Sequence, residues 1–582
     1  MISLLKYLKK KDWLFIGIAV GLIVLQVWLD LTMPDYTSKL TTAVSSGNVA
    51  MSDVWENGGM MLLCALGSMA ASICCGFLCA RVAASFAKSL RTDLFSKVST
   101  FANVEMNRFS TPSLITRTTN DVVQMQSFVA MGMQVLIKAP ILAVWAICKI
   151  SSTSMAWTTA TIVCVVIIVV MVGILVGLCY PKFKKIQKLT DNLNDVTREN
   201  VSGVRVVRAF NAEDYQESKF EKVNESVMKN QLFTSRTMGL MMPVMNLCMN
   251  GLTLAIYWIG AYLINDAEIL ERPEIIGNMT AFTQYALQVV MAFMLLIMIF
   301  IILPRTIVSA GRIKEVLDTK PEIVDGKSSD TPQSVGEIEF KDVSFAYSDG
   351  SNVAVNNLNF KINRGETVAF IGATGSGKST IVNLIPRFYD ATDGEILIDG
   401  INVKDYKIES LRDKISIASQ KAILFRGDVK SNITYGYDGD VADDDERIKK
   451  ALEIAQADFI YDDEQGIHSD VAQGGTNFSG GQKQRLSIAR TIFKGSEIMI
   501  FDDSFSALDY KTDMLVRKGI KENLKDTTVL IVAQRIGTIK NADKIIVLDE
   551  GKIVGMGTHE ALLDSCPVYK EIALSQLSKE EL

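Results

Sequence analysis

The sequence predicts two structural classes laid end to end, an all-α six-helix transmembrane domain and an α/β soluble domain. Three observations lead there. At 582 residues the chain exceeds the ~250–300 residues at which one hydrophobic core stops growing. Six apolar stretches that meet or approach the ~20 residues needed for a membrane-crossing helix occupy its first half. Charged residues, 21% of the chain, are sparse in that half and evenly spread through the second, so apolar and water-facing character is divided between domains. We expect 1–318 to form the transmembrane domain, 319–334 a linker rich in Pro, Ser, Asp and Lys, and 335–582 the soluble domain.

The expected spans cover about 13–33, 58–83, 128–150, 151–180, 237–265 and 275–304. Backbone groups in lipid must be satisfied within the segment, so lengths of this kind mean helices. Trp13 to Leu29, Gly58 to Ala80, Ser151 to Tyr180, Thr237 to Asn265 and Ile275 to Pro304 carry no charge, whereas the third span contains Lys138. An intramembrane charge is a functional candidate, and Lys138 either snorkels to the cytoplasmic edge or contacts an anionic or amphipathic ligand. Basic residues crowd the ends and loops that fall on one side. Lys6, Lys9, Lys10 and Lys11 precede the first span, and Lys182, Lys185, Lys188, Arg198, Arg205 and Arg208 follow the fourth; the loop from Asp266 to Glu274 holds four acids and one arginine. The bias places both termini in the cytoplasm. The first apolar run is too long for a secretory signal and has no small-residue cleavage site after it. No peptidase segment precedes it, so leader-peptide cleavage is not expected.

The two cytoplasmic connections are far longer than interhelical turns. Leu94, Val98, Phe101 and Val104 in one, and Val201, Val204 and Phe210 in the other, recur at helical spacing, so the helices should continue beyond the membrane. Eight of the nine cysteines lie in or beside apolar blocks, where thiols pack as small hydrophobes. With only His468 and His559 available, a zinc site lacks ligands. A net charge of -5 argues against a nucleic-acid partner.

In the soluble half, Thr367 to Ile371 reads as a buried strand entering Gly372, Ala373, Thr374, Gly375, Ser376, Gly377, Lys378 and Ser379, followed by Thr380 at the start of a helix. This is a Walker A loop. Its glycines let backbone N–H groups curl round phosphate oxygens, Lys378 reaches the terminal phosphates and Ser379 suits Mg2+. Four apolar residues, Ile498 to Phe501, run into Asp502 and Asp503, a Walker B pattern in which Asp502 is the carboxylate on the magnesium side. Between the two lie Ser479, Gly480, Gly481 and Gln482 ahead of an amphipathic helix.

These segments together resemble the ABC transporter family, and the membrane half resembles the six-helix ABC exporters. The resemblance implies an α/β P-loop (RecA-like) nucleotide-binding domain with antiparallel β and helical subdomains, which binds ATP and Mg2+. It implies that Ser479 to Gln482 form the signature that grips ATP across a dimer interface, that Tyr347 stacks on adenine, that Gln420 is the magnesium-sensing Q-loop residue, and that Asp509 lies in the D-loop. Phe109 to Asp121 and Glu199 to Glu213 resemble the two coupling segments, with Pro112 and Ser113 where the family usually has Gly and Asp.

Two positions depart from the pattern. Family members that hydrolyse ATP carry a glutamate after the Walker B aspartate, where this chain has Asp503, and a histidine where it has Gln534. Aspartate is one methylene shorter, and a misplacement of about 1 Å costs on the order of a hundredfold in rate. Glutamine carries no charge at neutral pH. The expected protein is one subunit of a heterodimeric exporter of hydrophobic or amphipathic compounds, lipids or peptides in the cytoplasmic membrane. Its partner is a second half-transporter with intact catalytic Glu and His. The alternatives are a homodimeric exporter with slow ATPase activity, an importer component and a nontransporting regulator.

Overall fold

The computed structural model describes residues 6–47, 50–151, 155–328, 335–347, 353–437, 439 and 444–577. The last six positions of the expected linker, and the start of the fourth expected span at 152–154, lie outside them. The chain divides into two compact units, one formed by Met1–Ser99 and Pro112–Thr319, the other by Thr100–Thr111 and Lys320–Leu582.

Ten helices lead to residue 318 in the described chain: α1 Lys10–Ser45, α2 Met51–Ser99, α3 Asn103–Phe109, α4 Thr111–Thr118, α5 Asn120–Ser151, α6 Met155–Ser202, α7 Val204–Ala209, α8 Glu213–Gly239, α9 Met241–Asp266 and α10 Arg272–Asp318. Six stretches among the described residues are long and apolar enough to cross a membrane. α2 and α6 run to 49 and 48 residues, more than twice what the hydrocarbon requires, so Leu94, Val98 and Val201 do lie on continuing helices, whereas Phe101 and Phe210 fall between helices and Val104 and Val204 lie on the short α3 and α7. The fifth span differs from one continuous helix, because α8 ends at Gly239 and α9 restarts at Met241. Pro243 has no N–H to give the Gly239 carbonyl, which breaks the ladder there. The membrane core joins Ile23, Val27 and Leu31 of α1 to Leu142 and Ala146 of α5, Ile256 of α9, and Phe282 and Val289 of α10. Within it the Trp157 indole N–H donates to the Ile256 carbonyl at 3.1 Å, which meets the need of a buried ring for a polar partner. All nine cysteines are free.

In the other unit β1 Ile338–Phe345, β2 Val355–Ile362, β4 Asp393–Ile398 and β5 Ile401–Asn402 make an antiparallel sheet in the order β2-β1-β4-β5. The second sheet runs β12-β11-β3-β10-β9-β6, built from β3 Thr367–Gly372, β6 Ile415–Ala418, β9 Ile498–Asp502, β10 Thr528–Val532, β11 Lys544–Asp549 and β12 Lys552–Gly557. A short pair, β7 Gly427–Asp428 with β8 Asp470–Val471, completes the strands. β6, β9, β10, β3 and β11 are parallel and β12 antiparallel. Every residue of β9 and β10 is buried, as the unbroken Ile, Val and Leu runs of a sheet covered on both faces require. Leu452 and Ile448 of the helix Asp445–Ile454 pack with Leu486 and Ile492 of Gly480–Lys494 in a helical portion of the same core.

Candidate functional site

The site grows from strand order. β10 lies between β3 and β9, with Val532 paired to Phe370 on one side and to Asp502 on the other. Three loops therefore leave the same edge of the sheet side by side, and they carry the Walker A residues, Gln534 and Asp503. The carboxyl edge of a parallel sheet is where such folds bind ligands.

Gly372 closes β3, the turn passes through Ala373, Thr374, Gly375 and Ser376, and the helix α11 spans Lys378–Leu384 with Gly377 as its cap. Gly377 has φ of 95°, and a Cβ there would stand 2.7 Å from the Ala354 carbonyl oxygen, so only glycine fits. The Lys378 ammonium donates to the Gly372 and Ala373 carbonyls at 2.9 and 2.7 Å. Burial lowers its pKa, while Asp503 and Asp502 work the other way. The Ser379 hydroxyl donates to Asp502 Oδ1 at 3.0 Å. Burial holds the Asp502 carboxyl above the usual aspartate range, and Asp503 adds to that, against the Ser379 hydrogen bond and the Lys378 charge. A hydroxyl and a carboxylate this close form a hard-oxygen set of the kind that suits Mg2+.

Asp503 is buried, with the positive φ of 48°. Its Oδ2 accepts from Gln534 Nε2 at 2.9 Å and from Gln420 Nε2 at 3.2 Å. The structure thus brings both departures from the family pattern, and the Q-loop residue, onto one carboxylate oxygen. Gln534 is tethered in turn by Gln576, whose amide donates to its carbonyl at 2.8 Å and whose Oε1 accepts from the Ile536 N–H. No motif in the sequence marks Gln576.

Tyr347 shares a T-shaped ring contact with Tyr389, centroids 5.4 Å apart, and its hydroxyl lies 3.1 Å from the Thr380 hydroxyl. Asn103 and Asn107 of α3 lie beside the Tyr389 hydroxyl, whose pKa burial pushes up. Glu105 of the same helix accepts from the Glu322 N–H at 2.7 Å. Residues 100–111 therefore pack with the soluble unit, and they overlap only the start of the Phe109 to Asp121 stretch to which the resemblance pointed. Asp121 instead accepts from the Ser309 hydroxyl of α10 at 2.8 Å.

Ser479 caps the 15-residue helix Gly480–Lys494. Its hydroxyl accepts from the Gln482 N–H at 3.3 Å, and Gln482 Oε1 accepts from the Ser479 N–H at 2.8 Å, a reciprocal capping box. Ser479 and Gly480 are exposed and Gly481 and Gln482 half-buried. Asp509 caps the helix Tyr510–Asn523 and accepts from the Thr512 N–H at 3.2 Å. Of the two histidines, His468 meets Asp428 and His559 meets the Tyr569 hydroxyl, so each has a local partner outside the Asp503 cluster.

A membrane unit of six spans carried in one chain with a P-loop domain defines a membrane protein powered by a nucleotide. Comparison with known proteins makes this particular. The family model "ABC transporter transmembrane region" matches residues 16–293, and the model "ABC transporter" matches 355–506. An uncharacterized ABC transporter ATP-binding protein of Mycobacterium tuberculosis is 39% identical over 89% of this chain and 87% of its own length. An ATP-dependent lipid A-core flippase of Hahella chejuensis is 32% identical over 99% of this chain and 97% of its own. A bacterial Atm1-family ABC exporter solved with ATP bound superposes with a TM-score of 0.79 at 24% identity, covering 96% of this chain and 98% of that one, which supports the fold. The chain belongs to the ABC transporter family, as a half-transporter with fused membrane and nucleotide-binding domains. It is an ATP-binding, multi-pass membrane protein of the ABC ATPase and translocase class, which acts as a dimer.

Proposed function

We propose that this chain is the degenerate-site subunit of a heterodimeric exporter: its own Walker residues hold ATP without turning it over, and its signature completes the hydrolytic site of a partner with intact Glu and His. The observation that carries the reading is the pair of glutamine amides on Asp503 Oδ2. A base that activates water needs a free lone pair aimed at the water. Two N–H donors occupy that oxygen, and the shorter side chain holds it further from a phosphate. Gln534 spends its amide on Asp503 and brings no positive charge to the γ-phosphate.

Binding is a separate matter. Lys378 and the turn Gly372 to Gly377 would cradle the phosphates, Tyr347 would stack on adenine, and Ser379, Asp502 and Gln420 would hold Mg2+, which neutralises phosphate charge when bound. The exposed Ser479 cap presents backbone N–H groups at a helix N-terminus, an arrangement suited to a phosphate from outside the chain. The flippase among the relatives supports an amphipathic cargo. α7, which exposes Val206 and is flanked by the exposed Val201 and Phe210, would dock on a nucleotide-binding domain and convert its closure into helix movement.

The test is ATPase activity of the purified dimer. Replacing the partner's catalytic Glu by Gln should abolish turnover, whereas Asp503→Asn in this chain should change it less than about twofold, well under the hundredfold cost of a displaced catalytic group. Rapid turnover by this chain alone would refute the reading.

A further inference from the structure

Polar side chains inside the membrane unit gather where α1 meets α2, α5 and α10. Asp30 of α1 takes the Lys138 ammonium of α5 at 3.3 Å on one carboxylate oxygen and the Ser68 hydroxyl of α2 on the other. Further along α1, Asp35 takes the Lys149 ammonium of α5 at 2.6 Å and the Tyr285 hydroxyl of α10. Gln288 of α10 donates to the Asp30 carbonyl at 3.0 Å. The surroundings are apolar, with Val27, Leu31, Leu142, Ala146 and Val289 in the adjoining core. Yet the Lys138 and Asp30 side chains stay 24% and 28% exposed, and those of Lys149 and Asp35 37% and 40%. Charge turned toward lipid is expensive, so the accessible side of these pairs is turned away from the lipid.

We propose that the two pairs form a cargo site for amphiphiles with a zwitterionic headgroup, one that joins an ammonium and a phosphate or carboxylate to an apolar tail. This rests on the export reading above and names its substrate class. The physical reason is charge balance. The anion of such a headgroup takes over Lys138 or Lys149 while its cation takes over Asp30 or Asp35, so every ionised group keeps a partner. An anionic amphiphile takes the lysines and strands the aspartates; a cationic one does the reverse. Leaving one member of such a half-buried pair without a partner costs more than at an open surface. The Ser68 and Tyr285 hydroxyls keep both carboxylates oriented during the exchange. Lys138 viewed as a lone intramembrane cation points to anionic cargo, and Asp30 beside it changes that preference.

The probes are phosphatidylcholine, phosphatidylglycerol and a diacyl trimethylammonium lipid with the same fluorescent tail. Their binding to the detergent-solubilised functional dimer is read by anisotropy without nucleotide, so turnover is not required. The zwitterion should bind at least about tenfold more tightly than either charged probe. Asp30→Asn should shift preference toward the anionic probe and Lys138→Met toward the cationic one. The double variant restores neutrality, guarding against a folding defect in either single change; adding Asp35→Asn and Lys149→Met, which removes the second pair as well, should keep tail-driven binding while losing discrimination. Equal affinities for the three probes, or single variants that weaken all three in parallel, would overturn the site and leave the pairs as interhelical ties. ATP-driven movement of the bound probe in proteoliposomes is scored separately. A probe bound with the expected preference yet never moved would count against export alone.

Discussion

At the scale of single residues, Asp503 and Gln534 act together. The amide of Gln534 reaches the Asp503 carboxylate at 2.9 Å, so restoring one family residue leaves the other in the wrong place. Asp503→Glu combined with Gln534→His should raise the ATPase rate of a homomeric preparation by up to about a hundredfold, with each single change giving a small part of that; a phosphate-release assay reads it. Asp502 carries a second prediction. Its carboxyl is held by burial above the ordinary aspartate range, and in the proposed site only the ionised form would help hold Mg2+. Affinity for magnesium-ATP should therefore be present at neutral pH and decline on acidification at a higher pH than a free aspartate, near 3.9, would dictate. Without a histidine at 534, no inflection of the imidazole kind near 6.5 should be superimposed. Equilibrium binding of a fluorescent ATP analogue across pH checks both statements.

At the scale of elements, the signature role proposed for the helix Gly480–Lys494 would separate binding from turnover. Ser479→Ala removes a capping hydroxyl worth about 1 kcal/mol and a contact offered outward from an exposed helix end. Turnover by the dimer should fall sharply while ATP binding at this chain's Walker A loop stays intact, measured by photolabelling each subunit. The membrane helices and the phosphate loop were legible in the sequence because each depends on local rules, namely apolar length for a span and glycine spacing for the loop. The break at Leu240 was legible too, through Pro243, but was masked by the unbroken hydrophobicity around it. Other features arise only when distant segments meet. The Gln576 tether on Gln534, the Asn103 and Asn107 contacts of Tyr389, and the pairing of Lys138 with Asp30 join residues whose separation in the chain carries no periodic signal. Lys138 was visible as a charge in an apolar run. Its neutralising partner was not, since Asp30 reads locally as the end of a span.

At the scale of the whole molecule, each unit has its own core, and the soluble one is assembled from two stretches of chain. Thr100–Thr111 belongs with Lys320–Leu582, held by the Glu105 carboxylate on the Glu322 N–H and by the Asn103 and Asn107 contacts of Tyr389. A recombinant ATP-binding domain cut at Lys320 should consequently melt at a lower temperature than the same domain supplied with a peptide of residues 100–111, as calorimetry would show. The arrangement also orders biogenesis. Chains fold from the amino end as they leave the ribosome, so residues 100–111 emerge first and wait while four further membrane spans are made and inserted. Completing the soluble unit therefore requires residues 100–111 and the chain after Lys320 to lie on the same side of the bilayer, which ties its packing to membrane topology.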